Sequence, residues 1–183
     1  MARNVLPRSF YARPAAEVAR ALLGCVIRFG PHAGMIREAE AYLPAGDEAA
    51  HAWRGRTERT AVLFGPPGHA YVFLCYGVHH CLNVSCEPEG VPGCVLIRAV
   101  DGWGDGPGKL TRHAGITLAL NGADLTRGPL TIHPGPGSAG SVRVTPRIGI
   151  DYAGADAHLP WRFVLSLSEI EKYVDKINAH HSG

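Results

Sequence analysis

Residues 25–43, CVIRFGPHAGMIREAEAYL, contain two strand-forming segments, CVIRFG and GMIREAEAYL, around a predicted turn at residues 31–34. Within the second segment Glu38, Glu40 and Tyr42 recur every two residues, so a strand would place all three side chains on one face. Two carboxylates and a tyrosine flanked by apolar residues fit either a solvent-exposed face or a functional site, because burying carboxylates without partners is costly.

The rest of the chain gives short strands with few helices between them. Helices are predicted at residues 14–23 and 47–53, and residues 106–116, GPGKLTRHAGI, are predicted to form a turn leading into a short helix. Strands are predicted at 71–76, 81–86, 93–100, 129–133, 142–150 and 161–167, and residues 134–141 are predicted to form an exposed loop. Strands cluster without a regular strand–helix alternation. This pattern favours an α+β fold, a single mixed domain with a curved, mostly antiparallel sheet and short flanking helices.

Length and composition indicate one globular domain over residues 1–183. No apolar run is long enough to cross a membrane, and no apolar signal core follows the first residues, so a cytoplasmic location is predicted. The five cysteines lack CxxC spacing, which favours reduced core thiols. The formal net charge of +2 is too small to indicate nucleic-acid binding, although residues 54–59 form a local basic cluster.

Cofactor motifs are weak in this sequence. The ten histidines show neither HxxxH nor HExxH spacing, so no metal site is predicted. The segment GPGKL, residues 106–110, lacks the spacing of a phosphate-binding P-loop. We therefore expect no metal and no cofactor.

Two further strands carry candidate site residues. Tyr71 and Phe73 share one face of an aromatic strand that ends at Tyr76, which fits either core packing or a stacking wall for a flat ligand. Asn83 interrupts an apolar strand and must be hydrogen-bonded if buried, to the protein or to a ligand. Arg98 ends the apolar run CVLIR and is predicted to pair with one of the two glutamates of the first strand.

Taken in order, these motifs resemble the alkyladenine (3-methyladenine) DNA glycosylases, the monofunctional alkylpurine DNA glycosylases. The resemblance covers residues 22–163 and rests on EAEAYLPAGDEAAHAWRG, FGPPGHAYVFLCYGVHHCLNVSC, CVLIRAV, GPGKL, RGPL and PRIGI. It implies an enzyme that flips an alkylated or deaminated purine out of duplex DNA and hydrolyses its glycosidic bond without lyase activity. The implied substrates are 3-methyladenine, 7-methylguanine and hypoxanthine.

The resemblance also implies roles for individual residues. Glu40 would activate the water, with Arg98 and the backbone carbonyl of Ile148 beside it. The flipped base would be held by Tyr42, His51, Phe73 and Asn83, and the DNA would be contacted by the wedge residue Tyr76 and by Lys109, Thr57 and Arg59.

The implied partner is double-stranded DNA with a damaged purine, bound by a monomer in the cytoplasm, at the nucleoid in a bacterium. Two segments depart from the usual family pattern. Glu58 stands between Thr57 and Arg59 where a proline is usual, and the segment between Arg98 and Gly106 is short.

Two other functions fit parts of this pattern. One is a catalytically weak protein that binds damaged DNA on the same fold, although binding alone needs neither Glu40 nor Arg98. The other is a carbohydrate glycosidase with Glu38 and Glu40 as its carboxylate pair. That chemistry needs carboxylates on opposite sides of a sugar, whereas these two would project from one strand.

Overall fold

The computed structural model describes residues 4–137 and 141–166. Within them the helices are α1 (Arg8–Tyr11), α2 (Ala15–Leu22) and α3 (Pro107–Ala114), with 3₁₀ turns at Ala61–Phe64, Leu118–Leu120 and Asp151–His158. The strands are β1 (Val26–Phe29), β2 (His32–Tyr42), β3 (Ala70–Cys75), β4 (His79–Cys86), β5 (Gly93–Val100), β6 (Gly104–Asp105), β7 (Leu130–His133), β8 (Val142–Thr145) and β9 (Arg162–Leu165).

These strands form one curled sheet around the long strand β2. The main order is β3-β4-β5-β2-β1-β7, while β6 pairs with β5, β9 pairs with β2, and β8 pairs with β9. The strand pairings within the described residues are antiparallel. The predicted α+β fold, with a curved antiparallel sheet and short helices, is confirmed.

The pairing of β2 with β5 is irregular next to the two glutamates. Glu38 lies opposite Ala99, but the next residue, Ala39, lies opposite Ile97, so Arg98 has no partner in the register. An extra residue in one strand bends it and changes the direction of its side chain. The irregularity thus helps to place the guanidinium of Arg98 beside the carboxylates of β2.

The two faces of the sheet have different roles. One face is apolar and packs against α2, so that Ala39, Val95 and Ile97 share a buried core with Val18 and Leu22. The opposite face carries the polar and aromatic side chains that alternate with these core residues. Alternation along the strands therefore builds both the core and the wall of a cavity.

Three local predictions were wrong. The first hairpin turn contains only Gly30 and Pro31, because Gly30 adopts the positive φ of 55° that a two-residue hairpin requires. Residues 47–53 form turns instead of a helix, since the Asp47 carboxylate accepts backbone N–H groups of Leu43 and Ala49.

The third error concerns residues 142–150. The strand there ends at Thr145, because Pro146 has no N–H to donate to the sheet. The predicted loop at 134–141 lies partly outside the described residues, as does the last residue of the predicted strand at 161–167.

The thiols follow the prediction. All five cysteines are free, and four of them are buried. Among the described residues, helices are too short or too polar to cross a membrane.

Candidate active site

A cavity of about 470 Å³ opens on the polar face of the sheet. Its volume is within the range of small-molecule sites in proteins. Alternate residues of four strands line it: Tyr42 of β2, Tyr71, Phe73 and Cys75 of β3, Cys81 and Asn83 of β4, and Cys94, Leu96 and Arg98 of β5. The remaining lining includes Leu74 of β3, Pro107 of α3 and loop residues such as His51, Arg59 and the segment Ile148–Gly149–Ile150.

Glu40 lies directly behind this wall and is fully buried. Its Oε1 accepts the backbone N–H of Ile148 at 2.8 Å. Its Oε2 accepts the Tyr42 hydroxyl at 3.1 Å and the Arg98 guanidinium at 3.3 Å. All three donors belong to residues that line the cavity. The Glu40 carboxylate is therefore separated from a ligand in the cavity only by the residues that bond it.

The protonation of Glu40 is set by opposing effects. Burial raises the pKa of the Glu40 carboxyl above its ordinary value, while Arg98 and the hydrogen bonds from Ile148 and Tyr42 oppose the rise. A carboxyl poised in this way can take up a proton closer to neutral pH than an exposed glutamate can. The geometry therefore suits general-base chemistry at the cavity wall.

An aromatic cluster forms another part of the wall. The ring centroids of His51 and Phe73 are 4.4 Å apart, and those of Tyr71 and Phe73 are 5.5 Å apart. His51 Nδ1 and the Tyr71 hydroxyl share a hydrogen bond of 2.9 Å. Burial of the ring and the nearby guanidinium of Arg59 lower the pKa of His51 to about 4. His51 is therefore neutral near pH 7 and offers one donor and one acceptor.

Tyr42 is held by two charged residues that do not line the cavity. Its ring lies 4.7 Å from the guanidinium carbon of Arg147, a residue whose side chain is fully buried. Arg147 forms a bidentate pair with Asp47 at 2.6 and 2.8 Å. The pair fixes Tyr42 at the cavity and leaves its hydroxyl free to reach Glu40.

Asn83 is buried in the floor of the cavity. Its Nδ2 donates to the backbone carbonyl of Tyr71 at 3.2 Å, and these two residues are also opposite each other in the sheet. Its Oδ1 has a weak contact, at 3.9 Å, with the thiol of Cys94. The amide is therefore held in place through both its nitrogen and its oxygen.

Tyr76 marks the mouth of the cavity. It is 86% exposed and lies at the tip of the β3–β4 hairpin, with a positive φ of 49° that non-glycine residues rarely adopt. A large exposed ring in a strained conformation is typical of a functional position. Tyr152 adds a second exposed ring at the mouth.

Metal ligands do not gather at this site. Within residues 4–137 and 141–166, His, Cys, Asp and Glu form no group of three or more that could hold an ion.

Comparison with known proteins identifies the family. The family model of methylpurine-DNA glycosylase matches residues 9–169. The chain belongs to the methylpurine-DNA glycosylase family. Among its relatives are proteins named 3-methyladenine DNA glycosylase from Methanocella arvoryzae, 45% identical with 87% of this chain and 91% of the relative covered, and from Myxococcus xanthus, 46% identical with 87% and 89% covered. A third, from Ehrlichia ruminantium, is 41% identical, with 94% and 95% covered.

The family establishes the enzyme class. This chain is a DNA glycosylase, an enzyme of DNA repair whose substrate is DNA. The resemblance inferred from the sequence motifs is confirmed. Both the fold and the match extend over the segments that build the cavity.

The fold of the glycosylase places most of the site residues that the sequence predicted around this cavity. Eight of them lie at or directly behind the cavity: Glu40, Tyr42, His51, Phe73, Tyr76, Asn83, Arg98 and Ile148. Arg59 also lines the cavity, with its guanidinium carbon 5.0 Å from the centre of the Phe73 ring. Lys109 is exposed in the first turn of α3, two residues after the cavity residue Pro107. Thr57 does not line the cavity, and its hydroxyl bonds with that of Thr60.

Sequence reasoning missed several contacts of this glycosylase. The Asp47–Arg147 pair behind Tyr42 joins residues 100 positions apart, and Arg162 binds Glu38 from 124 positions away. Such contacts leave no local pattern. The exposed Tyr152 lies two residues after the PRIGI motif, and this proximity is the signal by which it could have been predicted as a site residue.

Proposed function

We propose that this glycosylase flips an alkylated or deaminated purine out of duplex DNA and hydrolyses its N-glycosidic bond with a water activated by Glu40. The observation that carries the proposal is the buried carboxylate of Glu40, held by donors from three cavity residues. Oε1 accepts one bond in the described structure, so a lone pair remains for a water molecule. Arg98 and the backbone of Ile148 would hold that water.

The proposed reaction follows from these positions. An alkylated purine is cationic and therefore leaves as a neutral base when the bond between C1′ and the purine nitrogen breaks. Hypoxanthine is neutral in DNA and takes up a proton from solvent water as the same bond breaks. The sugar develops oxocarbenium-like charge, which a nearby carboxylate stabilises. The water oxygen then bonds to C1′, and its proton passes to Glu40. The products are a free base and an abasic site.

Recognition of the base would use the aromatic wall. Tyr42, His51 and Phe73 offer ring surfaces for stacking, and Asn83 offers an amide to the base edge. A cationic purine gains about 0.5–2 kcal/mol from stacking on such rings. The substrates would be 3-methyladenine, 7-methylguanine and hypoxanthine.

The absence of a covalent intermediate is also part of the proposal. Among the described residues lining the cavity there is no lysine amine to form a Schiff base with the sugar. A water nucleophile would leave the DNA strand intact, so we expect a monofunctional enzyme.

The wider setting follows from the same site. The enzyme would be a monomer that acts through one domain, residues 1–183, on damaged double-stranded DNA, since enclosing one flipped base needs no second subunit. Lys109, Thr57 and Arg59 would contact the DNA around the flipped base. The enzyme would act where the DNA lies, in the cytoplasm or at the nucleoid of a bacterium.

Purified enzyme incubated with duplexes that each carry one defined lesion would test the reaction class. We expect free damaged base together with an abasic strand. Release from soluble glycosides instead would support a carbohydrate glycosidase, and tight lesion binding without release would support a damage-binding protein.

Replacing Tyr76 tests the proposed wedge. Flipping a base costs a few kcal/mol, and an inserted ring recovers part of it by filling the gap. Tyr76→Ala should therefore slow base release from duplex DNA by about 10- to 100-fold. Tyr76→Phe, which keeps the ring, is the matched control and should act like the wild type. Binding of the free modified base should not change in either variant. If Tyr76→Ala releases the base from duplex DNA at the wild-type rate, Tyr76 is only a structural residue of the turn.

The pH dependence of base release tests the state of Glu40. The reactive form is the carboxylate, and burial raises the pKa of Glu40, so activity should be lost as pH falls through that raised value. The acid limb of the single-turnover rate should lie above pH 4.5, the ordinary value for glutamate. A 7-methylguanine duplex is suitable because its leaving group needs no added proton. An acid limb at or below the ordinary value would contradict this state of Glu40.

A further inference from the structure

The hydrogen bonds of Arg98 continue beyond the cavity. Arg98 Nε donates to Glu38 Oε1 at 2.9 Å, and the same oxygen accepts Arg162 Nε at 2.6 Å. Arg162 Nη1 also donates to the Thr145 hydroxyl at 3.1 Å. Neither Glu38 nor Arg162 lines the cavity. A chain of contacts therefore runs from β9 through β2 to the arginine that touches Glu40.

We propose that Glu38 and Arg162 are positioning residues that hold the guanidinium of Arg98 against Glu40 during base release. The proposal rests on the function proposed above for Glu40. Neither residue lines the cavity, so both act through Arg98.

The geometry of Arg98 shows why support is needed. Its contact with Glu40 is a single bond of 3.3 Å through Nη1, which alone leaves the guanidinium free to rotate. The second bond, from Nε to Glu38, removes that freedom. Arg98 has no partner on β2 in the sheet register, although its backbone carbonyl accepts the N–H of Gly106 at 2.8 Å, so its side-chain bonds are what set the direction of the guanidinium.

The charges require Arg162 as well. Glu38 and Glu40 are two carboxylates on one face of β2, and Arg98 forms an ion pair with each of them. Arg162 adds a second positive charge at Glu38. The side chains of Arg98, Glu38 and Arg162 are 13%, 16% and 17% exposed, so solvent screens these pairs only partly.

The groups that influence Glu40 come from several elements: Glu38 and Tyr42 of β2, Cys81 of β4, Arg98 of β5, Arg147 and the backbone N–H of Ile148 in the loop after β8, and Arg162 through Glu38. Within this set, Arg98 is the cation hydrogen-bonded to the Glu40 carboxylate. Misplacing Arg98 should therefore favour protonation of Glu40 and weaken its hold on the water.

Arg162→Ala tests the proposal through two readouts. Small misplacements of a catalytic group cost up to about 10²-fold, so the single-turnover rate at saturating enzyme should fall about 10- to 100-fold. The acid limb of the pH–rate profile should move to higher pH, and the Kd for lesion DNA should stay near the wild-type value. Arg162→Lys keeps the charge beside Glu38 and should restore the acid limb and part of the rate.

Arg143→Ala is the matched control. Arg143 is exposed on β8, next to β9, and its loss changes the net charge equally without touching Glu38. Its rate at saturating enzyme and its acid limb should equal those of the wild type. If Arg162→Ala matches Arg143→Ala, or loses rate with an unmoved acid limb, the positioning role is wrong. If the wild type itself releases no base, the proposed function fails instead.

Discussion

Glu40→Gln is expected to abolish measurable base release while the protein still binds lesion DNA. The amide cannot take the proton of the attacking water, and loss of a general base costs about 10²–10⁴-fold in rate. One of the two atoms facing Ile148 N–H and the Tyr42 and Arg98 donors would become an NH₂ group, which donates where an acceptor is needed. The single-turnover rate and the Kd for one lesion duplex measure the two effects separately.

Glu38→Gln is the matched control for this result. It makes the same change on the same strand, but Glu38 reaches Glu40 only through Arg98. The variant keeps an acceptor for Arg98, so it should retain much more activity than Glu40→Gln. Equal loss in both variants would mean that the wrong carboxylate was chosen or that the pair acts together. Thermal unfolding of both proteins checks that each is folded.

Asn83→Ser is expected to raise the release of undamaged guanine relative to hypoxanthine. Guanine differs from hypoxanthine by an amino group at C2, and a fixed buried amide can leave that donor unpaired. Such a donor costs about 1–3 kcal/mol. This corresponds to roughly a 5- to 150-fold change in discrimination. The smaller serine should relieve the penalty, even if total activity falls. The measurement is the ratio of the two release rates from matched duplexes.

Cys81→Ser is the control for the guanine experiment. It places the same side chain on the same strand and in the same cavity, two residues from the amide. Its guanine-to-hypoxanthine ratio should equal that of the wild type. An unchanged ratio in folded Asn83→Ser would show that Asn83 serves only its bond to the Tyr71 carbonyl and that guanine is excluded elsewhere.

The strands could be predicted because each has its own local signal. Alternation in β2 placed Glu38, Glu40 and Tyr42 on one face, and apolar runs marked β4 and β5. The irregular pairing at Arg98 could not be predicted, because nothing in CVLIRAV distinguishes a regular strand from one with an extra residue. The turns at Asp47 could not be predicted for a similar reason. They depend on the Asp47 carboxylate, which accepts hydrogen bonds from a nearby backbone N–H and from the distant Arg147.

The part of the candidate site around Arg98 could be predicted from the sequence, because the residue type and its apolar neighbours together indicate the partner. An arginine beside buried apolar residues needs a carboxylate, and the predicted pairing of Arg98 with the glutamates of β2 is confirmed. The contact of His51 with Tyr71 and that of Arg162 with Glu38 depend on how the loops and β9 fold back onto the sheet. No local sequence pattern predicts those contacts, because the residues that form them are distant from each other in the chain.

Release of free 3-methyladenine from methylated duplex DNA by the wild-type enzyme tests hydrolysis by a Glu40-activated water most directly. Free base should appear in step with abasic sites, and the DNA strand should remain unbroken until alkali is added. Addition of Glu40→Gln protein in place of the wild type should leave the DNA bound and the base attached. Binding by the wild type without base release, or a strand broken by the enzyme itself, would contradict hydrolysis by a Glu40-activated water.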